Sequence, residues 1–328
     1  MKALITGATG FLGGALTRRL HNTGWDVTAT GRNASKLDEL ESAGIRALRI
    51  DITKKNELVN AFKEQEIVFH CAALPSPWGN FEKFYQANVI GTRNVVQACE
   101  SNKIQRLVYV STPSIYFDYN SRMNVKESDP LPEPVSNYSA TKILAEQEID
   151  EAFKKGLPVI TIRPRGIFGP MDTVISPRLI PRLQAGRLPM VGNGKNVVDL
   201  TYIENVVDAL ILCAESPANT LGKKYNISNG EPIELWKWLE KICDALDFPY
   251  PKIKISESSA YILAGALEAV YTLIPTRPEP PLTRMAVNMI SNSTTLDTSA
   301  AKAELGFQPK ISMDEGFDLF MKWWKENH

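Results

Sequence analysis

The sequence predicts an α/β protein: a doubly wound parallel sheet of the Rossmann type with a smaller C-terminal substrate-binding lobe. Three observations carry that prediction. A short apolar run at Lys2–Thr6 breaks into three glycines spaced three apart, Gly7, Gly10 and Gly13, and continues as an amphipathic segment to about Leu20. Strand-like runs then alternate with helical patterns, which implies a parallel sheet covered on both faces. The third is size and composition: 328 residues, 44% hydrophobic and 23% charged, suit one large α/β domain with an appended lobe.

The opening stretch reads as strand, tight turn and helix. Glycines let backbone approach a pyrophosphate, and a helix N-terminus offers unpaired N–H groups and a positive dipole end. Gly7, Ala8, Thr9, Gly10, Phe11, Leu12 and Gly13 are therefore the expected phosphate cradle, although G-x-x-G-x-x-G is also compatible with turn chemistry alone. Asn22-Thr23-Gly24 stops the helix, and Trp25 to Thr30 supplies the second strand. Further strands are expected at Ile45–Ile50, Ile67–Cys71, Arg106–Ser111 and Val159–Arg163, with helices at Ala34–Ala43 and Lys54–Lys63 between them. Right-handed connections leave the doubly wound sheet as the simplest arrangement.

Ligands of such sheets bind outside the carboxyl ends of the strands, so the residues there are the informative ones. After the second strand stands Gly31-Arg32-Asn33, where a protein selecting NAD places an acid for the ribose hydroxyls. Gly31 leaves room and Arg32 offers a planar cation suited to a 2′-phosphate, which points to NADP over NAD unless Arg32 is one more surface arginine. Asp51 and Ile52, after the third strand, are positioned to read an adenine amine and its plane. Cys71, Ala72 and Ala73, after the fourth, are small residues where backbone must pass a ligand. Cys71 has no basic partner in view and reads as a small buried residue, not a nucleophile. Asn88 stands in a helical stretch, where its propensity is poor and a reason is needed.

After the fifth strand comes a hydroxyl-rich turn, Ser111-Thr112-Pro113-Ser114. Then Asn137-Tyr138-Ser-Ala-Thr-Lys142 opens a helix, putting Tyr138 and Lys142 on one face. A nearby ammonium favours a phenolate and makes tyrosine a usable proton donor and acceptor. The second copy of that spacing, Tyr250/Lys254, alternates through Lys252 as a strand would, which separates its side chains by about 13 Å and marks it as structural.

Taken together, Gly7-x-x-Gly10-x-x-Gly13, Asp51, Ala72-Ala73, Asn88, Thr112, Tyr138-x-x-x-Lys142 and Arg163-Pro164-Arg-Gly166-Ile167-Phe-Gly169-Pro170 resemble the extended short-chain dehydrogenase/reductase family in order and spacing. The resemblance implies that Tyr138 is the catalytic acid/base, Lys142 holds the nicotinamide ribose, Thr112 polarises the reacting oxygen and Asn88 supports the network. It also implies that Pro164, Gly166 and Ile167 line the nicotinamide carboxamide. The stretches around Asp199–Ala209, Lys224–Pro232, Glu279–Arg284 and Ala303–Pro309 are similar to the 3β-hydroxysteroid dehydrogenase/isomerase branch, which includes sterol dehydrogenases and 2-alkyl-3-oxoalkanoate reductases. Residues 1–164, with 197–228 returning to them, would then form the dinucleotide-binding domain. Residues 165–196 and 229–328 would mainly form the substrate lobe, with helices expected at Ile203–Glu215 and Pro232–Leu246 and a last one opened by Ser312 and Asp314-Glu315.

These readings favour an NADP-dependent enzyme that interconverts a secondary alcohol and a ketone on a lipophilic small molecule. The longest apolar segment, Ala260 to Ile274, stopped by Pro275, is too short to span a bilayer; it reads as a buried or half-buried helix, with a lipophilic substrate wall or membrane-surface contact as the alternatives. A nucleotide-sugar epimerase is the main rival, since Arg165, Arg178, Arg182 and Arg187 could clamp a diphosphate. Dehydration is disfavoured because Pro113-Ser114 stands where family dehydratases carry an Asp-Glu pair. A non-catalytic NADP sensor on the same fold is the remaining alternative, disfavoured because Tyr138 and Lys142 are both kept. Charges balance at 37 basic and 37 acidic residues, so no overall field favours nucleic acid. Scattered Cys71, Cys99, Cys213 and Cys243, with His21, His70 and His328, give neither a disulfide framework nor a metal site. No secretion signal is apparent, and a cytoplasmic location follows by default. Family members commonly dimerise through the helices containing Asn88–Ala98 and Tyr138–Ile149, which makes a homodimer the expectation.

Overall fold

The structure, a computed structural model, describes residues 1–251, 253–274, 276 and 278–328. Seven parallel strands form its central sheet: β1 (Lys2–Thr6), β2 (Asp26–Gly31), β3 (Arg46–Arg49), β4 (Ile67–His70), β5 (Arg106–Val110), β6 (Val159–Pro164) and β7 (Lys224–Ile227). Their spatial order is β7-β6-β5-β4-β1-β2-β3. The order reverses between β1 and β4, and that crevice lies at the carboxyl end of β1, where the glycine turn begins.

The strands read as near-continuous apolar runs because both faces are covered: Ala3, Leu4, Ile5, Val68, Phe69, Leu107, Val108, Ile160 and Ile162 are all fully buried. One face is packed by α1 (Phe11–Asn22), α2 (Ala34–Ser42) and, from far along the chain, the helix at Ile203–Glu215. The other is packed by α3 (Lys55–Ala61), α4 (Gly91–Asn102) and α5 (Asn137–Lys154). α5 starts where it does because Ser136 and Ser139 form a reciprocal capping box, each side chain bonding the other's backbone N–H. That box fixes the first turn of α5, which carries Tyr138.

Most expected boundaries stand within two residues, and Ile203–Glu215 is a helix as predicted. The helix expected from Pro232 begins at Leu235, because Ile233 and Glu234 pair as a short strand with Val197 and Val198. The apolar helix runs from Glu257 to Leu273 and is half-buried, one of the two degrees of burial expected for it. Only Ala260 and Ala264 are buried, while Ile262, Leu263, Val270 and Leu273 face outward. The small residues face the neighbouring helix Arg284–Ser291 and the branched ones do not, so this helix is an amphipathic cover and not a core element. Lys254 and Ile255 form a two-residue strand paired with Met190 and Val191, consistent with a structural role for that segment. The part of that reading that concerns Lys252, and the stop assigned to Pro275, lie outside the described residues. No described helix is long and apolar enough to cross a membrane.

Candidate active site

The glycine turn is built for an anion. Gly7 has φ +75°, and a Cβ there would lie 2.8 Å from the backbone of Ala72. A Cβ on Gly13 would come within 2.3 Å of the Gly7 carbonyl oxygen, so only glycine lets α1 close against the turn. Gly10 occupies the N-cap of α1 and no side chain caps the helix. The N–H groups of Phe11 and Leu12 accordingly find no acceptor among the described residues. Unpaired donors at a helix end behind a glycine turn fit a cofactor diphosphate, which Ala8, Thr9 and Gly10 would flank.

The other expected cofactor residues sit along the carboxyl ends of the strands. Arg32 is 72% exposed beyond β2, its guanidinium 3.8 Å from Asp51. Gly31 is needed because a Cβ there would lie 2.5 Å from the Thr9 side chain. Asp51 accepts from the backbone N–H and hydroxyl of Thr53, and the Ile52 side chain packs over Gly91. Cys71, Ala72 and Ala73 follow β4 against the glycine turn, and burial pushes the Cys71 thiol up to about 12, which removes it as a nucleophile near neutrality. Pro164 closes β6, Gly166 turns with φ +50°, and Ile167 pairs with Thr201.

Asn88 explains its own awkward position. It lies in a π-helical turn, Tyr85–Ile90, just before α4. Its Oδ1 accepts from the Leu74 N–H at 2.8 Å, and its Nδ2 donates to Thr141 at 3.1 Å. Asn88 thus ties the chain after Ala73 to α5, one residue before Lys142.

Tyr138 and Thr112 come together. Thr112 caps the short turn Pro113–Tyr116: its oxygen accepts from the Ser114 N–H at 3.2 Å and its hydroxyl donates to the Ser114 hydroxyl at 3.1 Å, with the Tyr138 phenol close enough to feel it. Burial pushes that phenol up to about 12, with the nearby Thr112 hydroxyl opposing the shift, so Tyr138 is a protonated donor at neutral pH. Lys142 is placed differently from the simple picture of an ammonium aimed at Tyr138. It is 1% exposed and donates to the Tyr109 hydroxyl at 2.5 Å and the Val110 carbonyl at 2.8 Å. Burial brings it down to about 7, against the field of Glu146.

Sequence reasoning missed the buried polar groups behind this pair. His70 contacts Thr6 at 2.7 Å and Thr92 at 3.0 Å, and Thr92 donates to the Asn88 carbonyl at 2.6 Å. Burial holds His70 neutral, down to about 3, so it links these hydroxyls without carrying charge. One turn beyond Lys142, Glu146 grips Arg163 through two hydrogen bonds and accepts from Ser111. Glu146 stands at i+4 from Lys142, a signal that the sequence contained. A separate cleft of about 540 Å³ near Lys126, Asp150, Lys223 and Glu304 includes none of these residues; in it Lys223 pairs with Glu304 and Lys224 with Asp150.

Residues 3–228 match the description "NAD dependent epimerase/dehydratase family". The chain belongs to that family. Within this family it is 37% identical to a 2-alkyl-3-oxoalkanoate reductase of Stenotrophomonas maltophilia over 322 residues, covering 96% of this chain and 97% of the relative. It is 32% identical over 326 residues to a mouse protein named sterol-4-alpha-carboxylate 3-dehydrogenase, decarboxylating, covering 97% and 89% of the two chains. Among solved structures, MoeE5 in complex with UDP-glucose and NAD superposes with a TM-score of 0.79 at 26% identity, over 99% of each chain. The resemblance to extended short-chain dehydrogenases of the 3β-hydroxysteroid dehydrogenase-like branch therefore holds: the chain is an enzyme of an NAD-dependent family, and its named relatives include oxidoreductases.

Proposed function

We propose that the protein is an NADP-dependent oxidoreductase that interconverts a secondary alcohol and a ketone on a lipophilic substrate of the 3-oxo/3-hydroxy steroid or 2-alkyl-3-oxoacyl type. The observation that carries this reading is the nearness of Thr112 to a buried, protonated Tyr138 at the carboxyl end of the sheet, alongside a glycine turn whose first helix N–H groups find no acceptor among the described residues. The bound nicotinamide would supply or accept the hydride. Tyr138 would give its proton to the carbonyl oxygen in reduction and recover it in oxidation. Thr112 would hold that oxygen through its hydroxyl, and Lys142 would hold the nicotinamide ribose. Asn88 keeps α5 in register with the chain that follows β4.

The NADP preference rests on Arg32, an exposed guanidinium beyond β2, and on Gly31 where an acid would repel a 2′-phosphate. The lipophilic preference rests on the amphipathic cover helix Glu257–Leu273, whose Tyr261 packs edge-on against Tyr119 at 5.1 Å, and on the two named relatives. Those names share one feature: a carboxylate on the carbon next to the reacting C3. In this reading residues 1–164 and 197–228 bind the dinucleotide, and 165–196 with 229–328 mainly bind the substrate. The enzyme would work in the cytoplasm as a homodimer through α4 and α5, with membrane-surface contact, if any, made by the cover helix.

The test is oxidation of NADPH, beside NADH, with a hydrophobic 3-oxo steroid and a 2-alkyl-3-oxoacyl substrate. Tyr138→Phe should lower turnover by roughly 10²- to 10⁴-fold with little change in cofactor affinity. Equal turnover by wild type and variant would remove tyrosine catalysis. The similarity to MoeE5 with bound UDP-glucose sustains the nucleotide-sugar epimerase/reductase as a second reading. Turnover of a nucleotide sugar, with no ketone reduced, would select it; bound NADP without any turnover would select a sensor.

A further inference from the structure

Two arginines stand two residues apart at the end of β6, and they are treated oppositely. Arg163 is enclosed by Glu146, Tyr116 and the Glu127 carbonyl. Arg165 is 7% exposed, its guanidinium carbon lies 5.0 Å from the Phe117 ring centroid, and its Nε is buried without a partner. Its backbone N–H donates to the Ile227 carbonyl at 2.9 Å, but among the described residues none of its guanidinium N–H groups meets a protein acceptor and no carboxylate comes within ion-pair distance. Asp199, whose field reaches it, is itself turned to the Leu296 N–H and leaves its other oxygen unpartnered. Burying a guanidinium without acceptors costs stability and is unexplained by packing.

Its placement supplies the explanation. β5 and β6 pair with Val110 opposite Ile162, and the Ser111 N–H bonds the Ile162 carbonyl. Continued by two residues, that register sets Thr112 beside Pro164, with Arg165 next. Phe117, the ring under Arg165, ends the short turn that Thr112 caps. A cation with open donors therefore stands one strand away from the hydroxyl that faces Tyr138.

We propose that Arg165 is the receptor for a substrate carboxylate, so that the substrate is a 3-oxo acid, or the corresponding 3-hydroxy acid, bearing its carboxylate on the carbon adjacent to the reacting one. The inference rests on the ketone/alcohol reading above. The guanidinium fork presents parallel N–H donors that match a carboxylate, and the aromatic face beneath it keeps the fork planar and in place. The carboxylate is held and not transformed. It fixes which carbon faces Tyr138, and it distinguishes the acid from the neutral ketone that loss of carbon dioxide would leave. Of the four arginines considered for a diphosphate clamp, Arg178 lies 3.5 Å from Glu279 and Arg187 is exposed, so the unpartnered buried cation suits one carboxylate better than two phosphates.

Three alcohols test this: a 2-alkyl-3-hydroxyalkanoic acid, its methyl ester, and the secondary alcohol lacking the carboxyl group, each oxidised with NADP. Wild type should favour the acid over the ester by roughly 10- to 100-fold in kcat/KM. Arg165→Gln should bring that ratio close to one, and Arg165→Lys should restore part of it. An equal loss for all three alcohols, or a wild type indifferent to the ester, overturns the proposal. A second measurement needs no turnover. Without ligand, Arg165→Met should melt at or above wild type, because it removes a buried unpaired cation. 3-Hydroxyoctanoate should raise the melting temperature of wild type and not of the variant. A variant that melts far below wild type makes Arg165 structural and ends the argument. Stabilisation by the acid without oxidation of any alcohol would keep the carboxylate site and discard the reaction, so the two readings fail separately.

Discussion

Replacing Glu146 by glutamine removes one charge from a pair in which both side chains are almost wholly enclosed, Glu146 at 3% and Arg163 at 2% exposure. Oε1 accepts from Arg163 Nε at 2.9 Å and from Ser111 at 2.5 Å, and Oε2 accepts from Arg163 Nη2 at 2.5 Å. Burial alone would raise the Glu146 carboxyl; the bonds and charge of Arg163, with Lys224 at 3.3 Å, outweigh it and hold the group ionised. An amide of the same shape turns one acceptor into a donor facing Arg163, which is then left charged and half-satisfied. Breaking a buried pair from one side costs about 3–5 kcal/mol. Arg163 keeps its bond to Tyr116, which places Glu146→Gln near 3 kcal/mol, a large part of the ~5–15 kcal/mol that holds a native protein together. Urea unfolding of wild type, Glu146→Gln, and Glu146→Gln combined with Arg163→Met reads this directly. The double variant should recover much of the loss, since it removes the stranded cation. A single variant within about 1 kcal/mol of wild type would refute the reasoning, because a pair so enclosed has no water to fall back on.

The other predictions concern the cofactor and Lys142. Arg32→Ala should narrow the preference for NADPH over NADH by roughly tenfold or more, measured by cofactor titration; an unchanged difference would falsify the assignment of Arg32 to a 2′-phosphate. Gly13→Ala should abolish cofactor binding and lower stability by roughly 1–3 kcal/mol, since its Cβ would meet the Gly7 carbonyl at 2.3 Å; thermal melts with and without cofactor check both parts. Lys142 is brought from 10.5 down to about 7, so burying its cation costs stability fully below pH 7, progressively less as pH rises, and not at all above the unfolded value. Lys142→Met should therefore be stabilising relative to wild type near pH 7, and that advantage should shrink by roughly 1.4 kcal/mol per pH unit toward pH 10. A flat difference across that window would show the ammonium to be better solvated than its 1% exposure implies.

What the sequence made legible is what short-range chemistry controls. The glycine turn, the strand endings, Asn88 and the Tyr138–Lys142 face could be named because a turn, a strand period and a helix period each act over a few residues. Boundaries slipped where a distant strand intervened, as when Val197 and Val198 drew Ile233 and Glu234 out of a helical pattern. The cover helix was legible only as buried or half-buried for a related reason: hydropathy counts apolar residues, but the partner decides which face is buried, and here Ala260 and Ala264 take that face.

The chemistry behind the site was illegible because it is assembled across the sheet. His70 reaches Thr6, 64 residues away, and Lys142 reaches Tyr109, 33 away, so neither pairing leaves a local pattern. The consequence bears on mechanism. An ammonium bonded to Tyr109 and Val110 is fixed by β5 and not by Tyr138, so in the proposed reaction Lys142 would hold the ribose while the nearby Thr112 hydroxyl opposes the effect of burial on the tyrosine. The i, i+4 spacing of Tyr138 and Lys142 puts them on one helical face; the strand ends beneath that face decide what each of them touches. Arg163 and Arg165 make the same point, since two arginines separated by one residue differ in what the fold brings opposite them: for one the Glu146 carboxylate, and for the other the Phe117 ring with no carboxylate in ion-pair distance among the described residues.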